Sequence, residues 1–253
     1  MLKNTFALSN RGTAATALLA LTAVLLAGCA RPTPGAEPND PYEAGNRKVH
    51  GFNIAVDRTF FGDGTTKGVI PTIPKPVAVG FGNFASNLGM PSAVLNSVLQ
   101  AKPGAALQNT LRFAVNSTVG IGGLFDPATA IGIPADPADF GETLHVWGVG
   151  EGAYLEVPFL GPSTERDIAG TIVDIAIDPV NTVVNSREAA YITVGRLTAK
   201  VGNRQRFADT YESILYDSAD SYAQARLLYL QNRHYELGIE EETFDPYEDP
   251  YAE

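Results

Sequence analysis

The sequence predicts an all-α fold of short amphipathic helices that are connected by Gly- and Pro-rich loops. Apolar residues recur every three or four positions along most of the chain, which is the spacing of one helix face. The 25 Gly and 17 Pro residues cluster between these stretches, where loops are expected. After residue 28 there is no run of about 18 apolar side chains, so no membrane-spanning helix is predicted.

Residues 1–28 have the pattern of a bacterial signal peptide. Lys3 and Arg11 supply positive charge, and a mostly apolar stretch from Gly12 to Leu26 follows them. That stretch is long enough for the apolar region of a secretory signal and too short to predict a transmembrane span. We therefore expect residues 1–28 to be absent from the mature protein.

The leader ends in Leu26-Ala27-Gly28-Cys29, a lipobox, which marks the precursor of a bacterial lipoprotein. Cys29 is the only cysteine, so it is the predicted lipidation site for a diacylglycerol and an N-acyl chain. Ala30 favours the outer membrane, because an Asp at that position holds bacterial lipoproteins at the inner membrane. Residues 29–39 are rich in Pro, Gly and Ala and predict a tether. The alternative is an ordinary secretory signal with an incidental cysteine.

Composition restricts the possible function classes. The full chain carries a net charge of −10, and the leader holds two basic and no acidic residues, which leaves −12 on the 225 residues after it. This charge argues against nucleic acid as a partner and against electrostatic adsorption to anionic lipid. One cysteine cannot form an internal disulfide, and the three histidines are too far apart in sequence for a zinc motif.

The folded domain is predicted to span residues 40–237 and to begin with a helix from Asp40 to about Phe60. Asp40 suits the N-cap of this helix, and Pro41 suits its first turn. Several Gly and Pro residues between positions 62 and 75 predict the loop that follows.

Three short amphipathic helices are predicted next. Apolar side chains recur at helical spacing after Pro76, and Pro91 is expected to end that helix and to begin a second. A third helix follows Pro103, with polar side chains opposite its apolar face. Residues 119–163 are rich in Gly and Pro and predict irregular structure, with a short hairpin near Tyr154 to Pro158.

The C-terminal part is predicted to form three longer helices. An apolar helix is expected from Arg166 to about Val184, and a long helix has an apolar face from Val194 to Leu215. A further helix is expected from about Ser218 to Leu237. Along it the sequence places four aromatic and basic side chains, Tyr222, Arg226, Tyr229 and Arg233. Residues 238–253 are strongly acidic and predict a disordered tail.

Local motifs give little support for catalysis. Asp139-Phe140-Gly141 spells the magnesium-binding triplet of protein kinases, but the other kinase motifs are missing. Gly148 to Gly152 lacks the Lys-Ser/Thr pair of a phosphate loop. Ser163 lies outside any Gly-x-Ser-x-Gly motif, and it or Thr164 is expected to cap the next helix. His145 lacks a local carboxylate to orient it, which favours a structural histidine over a general base.

Four segments together resemble the VacJ/MlaA family of outer-membrane lipoproteins. They are Asp40 to Arg47 with Phe52, Asn53 and Asp57; Phe84 to Asn87 with Pro91, Asn96, Leu99 and Gln100; Arg112, Phe113, Asn116, Gly120, Gly122, Gly123, Asp126 and Ala128; and Asp139 to Leu144 with Trp147 to Gly150, Tyr154, Pro158, Gly161 to Ser163, Arg166 and Asp167. The last segment is the most specific. The resemblance covers roughly Asp40 to Arg233, nearly the whole predicted domain.

The resemblance implies a ring of amphipathic helices that lie flat in the periplasmic leaflet of the outer membrane around a polar channel. An outer-leaflet lipid would lower its head group into the channel and move to the periplasmic side. Such a channel has a physical reason, because a phosphate head group is costly to place in hydrocarbon. The implied partners are phospholipid as the transported ligand, a trimeric porin and a soluble periplasmic phospholipid-binding protein. The resemblance implies neither a cofactor nor a metal.

The resulting hypothesis is a non-enzymatic outer-membrane lipoprotein that removes mislocalised phospholipid from the outer leaflet and passes it to a periplasmic carrier, which maintains lipid asymmetry. Five polar residues are expected to organise the channel or its mouth: Asn46, Arg47, Asp139, Arg166 and Asp167. For each of them, an interhelix hydrogen bond or a helix cap is the competing interpretation.

Two other function classes stay open at this point. The first is a structural or adaptor lipoprotein that binds porins and transports nothing. The second is an envelope hydrolase that uses Ser163 or His145.

Overall fold

A computed structural model describes residues 38–180 and 184–239 of the chain. The described part is mostly helical with one small antiparallel sheet, which confirms the predicted helical fold. Its elements are α1 Glu43–Phe61, α2 Lys75–Leu99, α3 Pro103–Thr118, α4 Pro127–Ala130, α5 Phe140–Val146, β1 Tyr154–Val157, β2 Gly161–Thr164, α6 Glu165–Ile177, α7 Ser186–Arg206, α8 Ala208–Leu215 and α9 Ser221–Glu236. The predicted leader with Cys29, the tether up to residue 37 and the tail from residue 240 fall outside the described residues.

The longest helix, α2, packs against both α3 and α7. The prediction that Pro91 ends this helix is wrong, because α2 continues through Pro91. A proline inside a helix costs about 3 kcal/mol, and close packing against α7 offsets that cost. The packing is tight where α7 has glycine: a Cβ on Gly195 would lie 2.8 Å from the Phe84 ring, and one on Gly202 would lie 2.8 Å from the Cβ of Ala78.

The start of α1 differs from the prediction. Tyr42, not Asp40, occupies the N-cap position, and its side chain makes no capping hydrogen bond. The Asp40 carboxylate instead accepts hydrogen bonds from Asn46 and from Tyr222 and Arg226 of α9. A charge-assisted bond to a guanidinium is stronger than a bond to a neutral donor, so the tertiary contact prevails over the local cap. The predicted loop between α1 and α2 is confirmed.

The predicted hairpin is confirmed. β1 and β2 pair antiparallel with Tyr154 opposite Thr164, and Phe159 in the turn between them has φ of +63°. Thr164 is the residue that caps the next helix, since its side chain accepts the backbone N–H of Asp167. Ser163 lies within β2 and is buried. The hairpin packs against α1 and leads directly into α6.

The apolar helix α6 is shorter than predicted. It ends at Ile177 rather than near Val184, and Asp178 takes a ψ of 113°. Asp178 precedes a proline, and a residue in that position is sterically driven out of the helical region. The last helix, α9, begins at Ser221 after Asp220, whose side chain accepts the N–H of Ala223. That start is slightly later than predicted.

The predicted long helix around Val194 is two helices in the structure. α7 begins at Ser186, where Asn185 and Glu188 form an unpredicted capping box. The helical path is interrupted at Phe207, and the separate helix α8 follows.

The region predicted to be irregular contains two short helices, α4 and α5. Each is capped by an aspartate: Asp126 accepts the N–H of Thr129, and Asp139 accepts the N–H of Glu142. Helices of four and seven residues are too short to show a reliable period in sequence.

Burial in the described residues is the reverse of the pattern in an ordinary soluble domain. Polar and charged side chains are buried in larger number than apolar ones, and the buried apolar set is mostly Ala and Tyr. Large aliphatic side chains lie instead on the outside, with exposed fractions of 62% at Leu107, 61% at Ile172 and 60% at Val194. None of the described helices is both long and apolar enough to cross a membrane.

Candidate functional site

One face of α9 organises the polar interior. Tyr222, Arg226, Tyr229 and Arg233 follow one another at spacings of four, three and four residues, which aligns them along a single helix face. Their hydroxyl and guanidinium groups meet carboxylates from other parts of the chain. This face therefore holds two polar clusters, one near the start of α9 and one near its end.

The first cluster forms around Asp40 and Asn46. Asn46 is buried, and its Nδ2 donates to Asp40 Oδ1 at 2.9 Å and to the Tyr154 carbonyl at 3.0 Å. Its Oδ1 accepts the backbone N–H of Glu156 at 3.0 Å. Every polar atom of the Asn46 side chain thus bonds within the protein, and the residue joins α1 to β1.

Arg47 lies at the exposed edge of the same cluster. Its guanidinium bonds both oxygens of Asp220 at 2.9 and 3.0 Å and Glu43 at 2.7 Å, and it stacks 4.5 Å above the Tyr222 ring. The hydrogen bonds to Asp220 and Glu43 raise the pKa of Arg47. The hydrogen bonds from Arg47 and from the backbone N–H of Ala223 lower the pKa of Asp220 to about 2.

The second cluster centres on Arg233. Its Nη1 and Nη2 bond the two carboxylate oxygens of Asp139 at 2.9 and 2.8 Å, and Nη2 also bonds Asp167 Oδ1 at 3.0 Å. Tyr229 donates to the other oxygen of Asp167 at 2.7 Å. Burial opposes the ionisation of Asp167, but the charge of Arg233, the bond from Tyr229 and the charge of Arg166 hold its pKa below the usual value.

Arg166 adjoins this cluster with longer contacts. Its Nε lies 3.4 Å from Asp167 Oδ1, and its Nη1 lies 3.5 Å from Nδ1 of His145. Burial lowers the pKa of His145, and the charges of Arg166 and Arg233 lower it further. His145 is therefore neutral at neutral pH, and its Nδ1 is able to accept the hydrogen bond from Arg166.

The structure brings three of the five predicted residues together. Asp139, Arg166 and Asp167 lie in the second cluster, whereas Asn46 and Arg47 belong to the first. Sequence reasoning missed the residues that bind them, namely Asp40 as an ion-pair partner, Tyr229 and Arg233. The signal that could have found the two α9 residues is the regular spacing of Tyr and Arg along the last helix.

Two further buried networks were not predicted. Arg112 bonds both oxygens of Asp126 at 3.1 and 3.0 Å, and Asn116 donates to the same carboxylate at 2.9 Å. Burial opposes ionisation of Asp126, but these bonds and those from Thr129 lower its pKa to about 2. The second network links α2 to α6 through Asn96, whose Nδ2 donates to Asp174 at 2.8 Å.

The motifs considered for catalysis have structural roles in the fold. Asp139 caps α5 and binds Arg233, which accounts for the kinase-like triplet without a metal. Within residues 38–180 and 184–239, no hydrogen bond joins Ser163 to His145. The same described ranges contain no group of His, Cys, Asp and Glu side chains arranged to hold a metal ion.

Comparisons with known proteins agree with this helical fold. The model of the family described as "MlaA lipoprotein" matches residues 38–236. A relative from Shigella flexneri, "Intermembrane phospholipid transport system lipoprotein MlaA", is 33% identical over 221 residues, which are 85% of each chain. The protein of the same name from Escherichia coli K12 is 32% identical over 221 residues, again 85% of each chain. An uncharacterised protein from Rickettsia bellii is 31% identical over 204 residues, 75% of this chain and 73% of its own.

A solved structure supports the same relationship. A chain described under "Structural basis for maintenance of bacterial outer membrane lipid asymmetry" superimposes with a TM-score of 0.63 at 25% identity, over 78% of this chain and 98% of that one. The same assignment follows from the fold, from the sequence over most of its length and from the family model. This chain belongs to the MlaA lipoprotein family.

Proposed function

We propose that this chain is a lipoprotein of the outer membrane that removes mislocalised phospholipid from the outer leaflet and passes it to a soluble periplasmic carrier. The names of its Shigella and Escherichia relatives, which refer to intermembrane phospholipid transport, support this role. The structural relative was studied for outer-membrane lipid asymmetry, which supports the same process. The role requires no bond to be made or broken, and we infer a non-enzymatic protein.

The observation that carries the proposal is the reversed burial of the described residues. Exposed aliphatic side chains are stable against lipid tails, where each square ångström removed from water contributes about 25 cal/mol. Buried polar side chains suit a path for a head group, because a phosphate is strongly disfavoured in hydrocarbon. We infer that the helices lie in the periplasmic leaflet with their apolar faces towards lipid. In this arrangement Asn46, Arg47, Asp139, Arg166 and Asp167 would line or support the polar path.

Lipidation of Cys29 would fix the orientation of the domain in this leaflet. Replacing Cys29 by Ala should leave the folded domain intact but remove the protein from the outer membrane, because each buried acyl methylene contributes about 0.8 kcal/mol to anchoring. Membrane fractionation with immunoblotting measures the change, and Ala30→Ser is a matched control that keeps the thiol. Normal outer-membrane residence of Cys29→Ala would mean that the helices suffice for attachment.

Loss of the protein should disturb lipid asymmetry. In a strain without this chain, phospholipid in the outer leaflet should increase and detergent resistance should fall, and expression of the intact chain should reverse both. Outer-leaflet phospholipid is measured on intact cells with a label that does not cross the membrane. An unchanged outer leaflet in the deletion strain would contradict the proposal.

The proposed partners are a trimeric porin and the periplasmic carrier. An assay that contains both partners distinguishes lipid transfer from an adaptor role. The purified protein in porin-containing vesicles should hand phospholipid to the carrier. Binding to the porin without transfer of lipid, with an active carrier present, would identify an adaptor instead.

A further inference from the structure

Arg166 combines deep burial with weak bonding. Only 1% of its side chain is exposed. Its contacts with Asp167 and His145 measure 3.4 and 3.5 Å, whereas charge-assisted hydrogen bonds are usually about 2.7–2.9 Å. Within the described part of the chain, its Nη2 has no hydrogen-bond partner. A buried guanidinium is normally ion-paired and fully hydrogen-bonded, whereas in the described residues Arg166 has one long ion pair and an unbonded Nη2.

The nearest carboxylate is already committed to other donors. Asp167 accepts Tyr229 at 2.7 Å and Arg233 at 3.0 Å, and Arg233 is in turn fixed by Asp139 at 2.8 Å. These bonds hold Asp167 towards α9 and leave its contact with Arg166 long. The structure therefore leaves Arg166 with only a long hydrogen bond to a carboxylate, through its Nε.

The other four predicted site residues do not share this property. Asn46 forms hydrogen bonds through both side-chain polar atoms, and Arg47 bonds two carboxylates at 2.7–3.0 Å. Asp139 and Asp167 bond Arg233 at 3.0 Å or less. Of the five, Arg166 alone is poised to bind a ligand without breaking a short bond.

We propose that Arg166 is the subsite that binds the phosphate of the transported phospholipid. This inference rests on the proposed function and deepens it by assigning the head-group contact to one residue. The planar guanidinium fork matches two phosphate oxygens, and the lipid phosphate would bond Nη1 and Nη2 together. Inorganic phosphate offers the same chemistry, so the test has to separate the two sources.

His145 lies beside Arg166 and is only half-buried. Its neutral ring accepts a long hydrogen bond from Nη1, and a phosphate oxygen with a negative charge would be a stronger acceptor. The phosphate would replace the ring at Nη1, which requires the His145 side chain to move. Burial and the charges of Arg166 and Arg233 lower the pKa of His145, whereas the charges of Glu142 and Asp167 raise it, so a bound anion should shift that pKa upward.

The test uses the full-length protein in detergent and three soluble probes: dihexanoylphosphatidylglycerol, dihexanoylglycerol and inorganic phosphate. The single tryptophan, Trp147, follows α5 directly, and its fluorescence reports binding near His145. We expect the phosphate-bearing lipid to bind, inorganic phosphate to compete with it, and the phosphate-free lipid to bind at least about tenfold more weakly.

Variants then test the assignment to this residue. Arg166→Gln should weaken binding of the phosphate-bearing lipid by about tenfold or more, because it loses charge-assisted hydrogen bonds, and should leave dihexanoylglycerol unaffected. His145→Ala should bind the lipid at least as tightly as the parent, since it removes the competing acceptor. Arg187→Gln, at an exposed arginine on α7, is the matched control and should bind like the parent.

Two results would overturn the inference. One is equal affinity of the parent and a folded Arg166→Gln for the phosphate-bearing lipid. The other is an unchanged pKa of His145 in NMR titrations of the parent protein with and without that lipid, a result that does not depend on any variant folding. Neither result affects the deletion-strain test, so failure of the subsite and failure of the proposed function are distinguishable.

Discussion

Replacing Arg233 by Met should lower the free energy of unfolding by about 3–5 kcal/mol, since it leaves the carboxylates of Asp139, Asp167 and Glu236 without this buried partner. Arg233 binds Asp139 and Asp167 at 2.8–3.0 Å, and only 10% of its side chain is exposed. Met retains most of the apolar volume, so the loss isolates the charge and its hydrogen bonds. Urea unfolding of the detergent-solubilised protein, followed by circular dichroism at neutral pH, measures the change.

The size of this effect should depend on pH. The folded-state pKa of Asp167 is depressed, so its stabilising contribution is present above the unfolded pKa and is lost as pH falls through the folded value. The difference between Arg233→Met and the parent should therefore shrink in acid. Arg47→Met is the matched control: its ion pairs are also short, but 41% of its side chain is exposed and solvent screens them, so a much smaller loss is expected. Equal losses in the two variants would contradict the buried-cluster interpretation.

Replacing Gly170 by Ala should also destabilise the fold strongly, by about 1–3 kcal/mol or more. A Cβ at Gly170 of α6 would lie 2.3 Å from the backbone nitrogen of Gly141 and 2.6 Å from its Cα in α5. Backbone atoms cannot move aside as a flexible side chain can, so α5 and α6 would have to separate. That movement would also disturb Asp139 and Asp167, which flank the contact.

The same substitution at an open helical glycine is the control. Gly82 in α2 has no atom within 4 Å of an added Cβ, and Gly82→Ala should stabilise the protein by about 0.5–1 kcal/mol through the lower entropy of the unfolded chain. Thermal unfolding of both variants in detergent provides the comparison. A Gly170→Ala variant as stable as the parent would show that the close helix contact is not required.

Short-range patterns in the sequence correctly predicted the elements that form between residues close together in the chain. Apolar spacing identified helices on both sides of the hairpin, and the turn residues near Tyr154 identified the hairpin itself. The prediction at Pro91 is wrong because packing of α2 against α3 and α7, which local spacing does not reveal, holds the helix together. The cap assigned to Asp40 failed for a similar reason, since its partners on α9 lie more than 180 residues away.

The sequence by itself determined the helical class, the position of the hairpin and the family, because these depend on residue type and short spacing. Only the tertiary structure decided which polar residues pair. Asp139 and Asp167 lie 94 and 66 residues from Arg233 in the sequence, and local periodicity does not reveal contacts at such separations. The tertiary structure also showed that Arg166, alone among the five predicted site residues, has a side chain without a short hydrogen bond within the described part of the chain. That distinction depends on tenths of an ångström, which long-range packing sets.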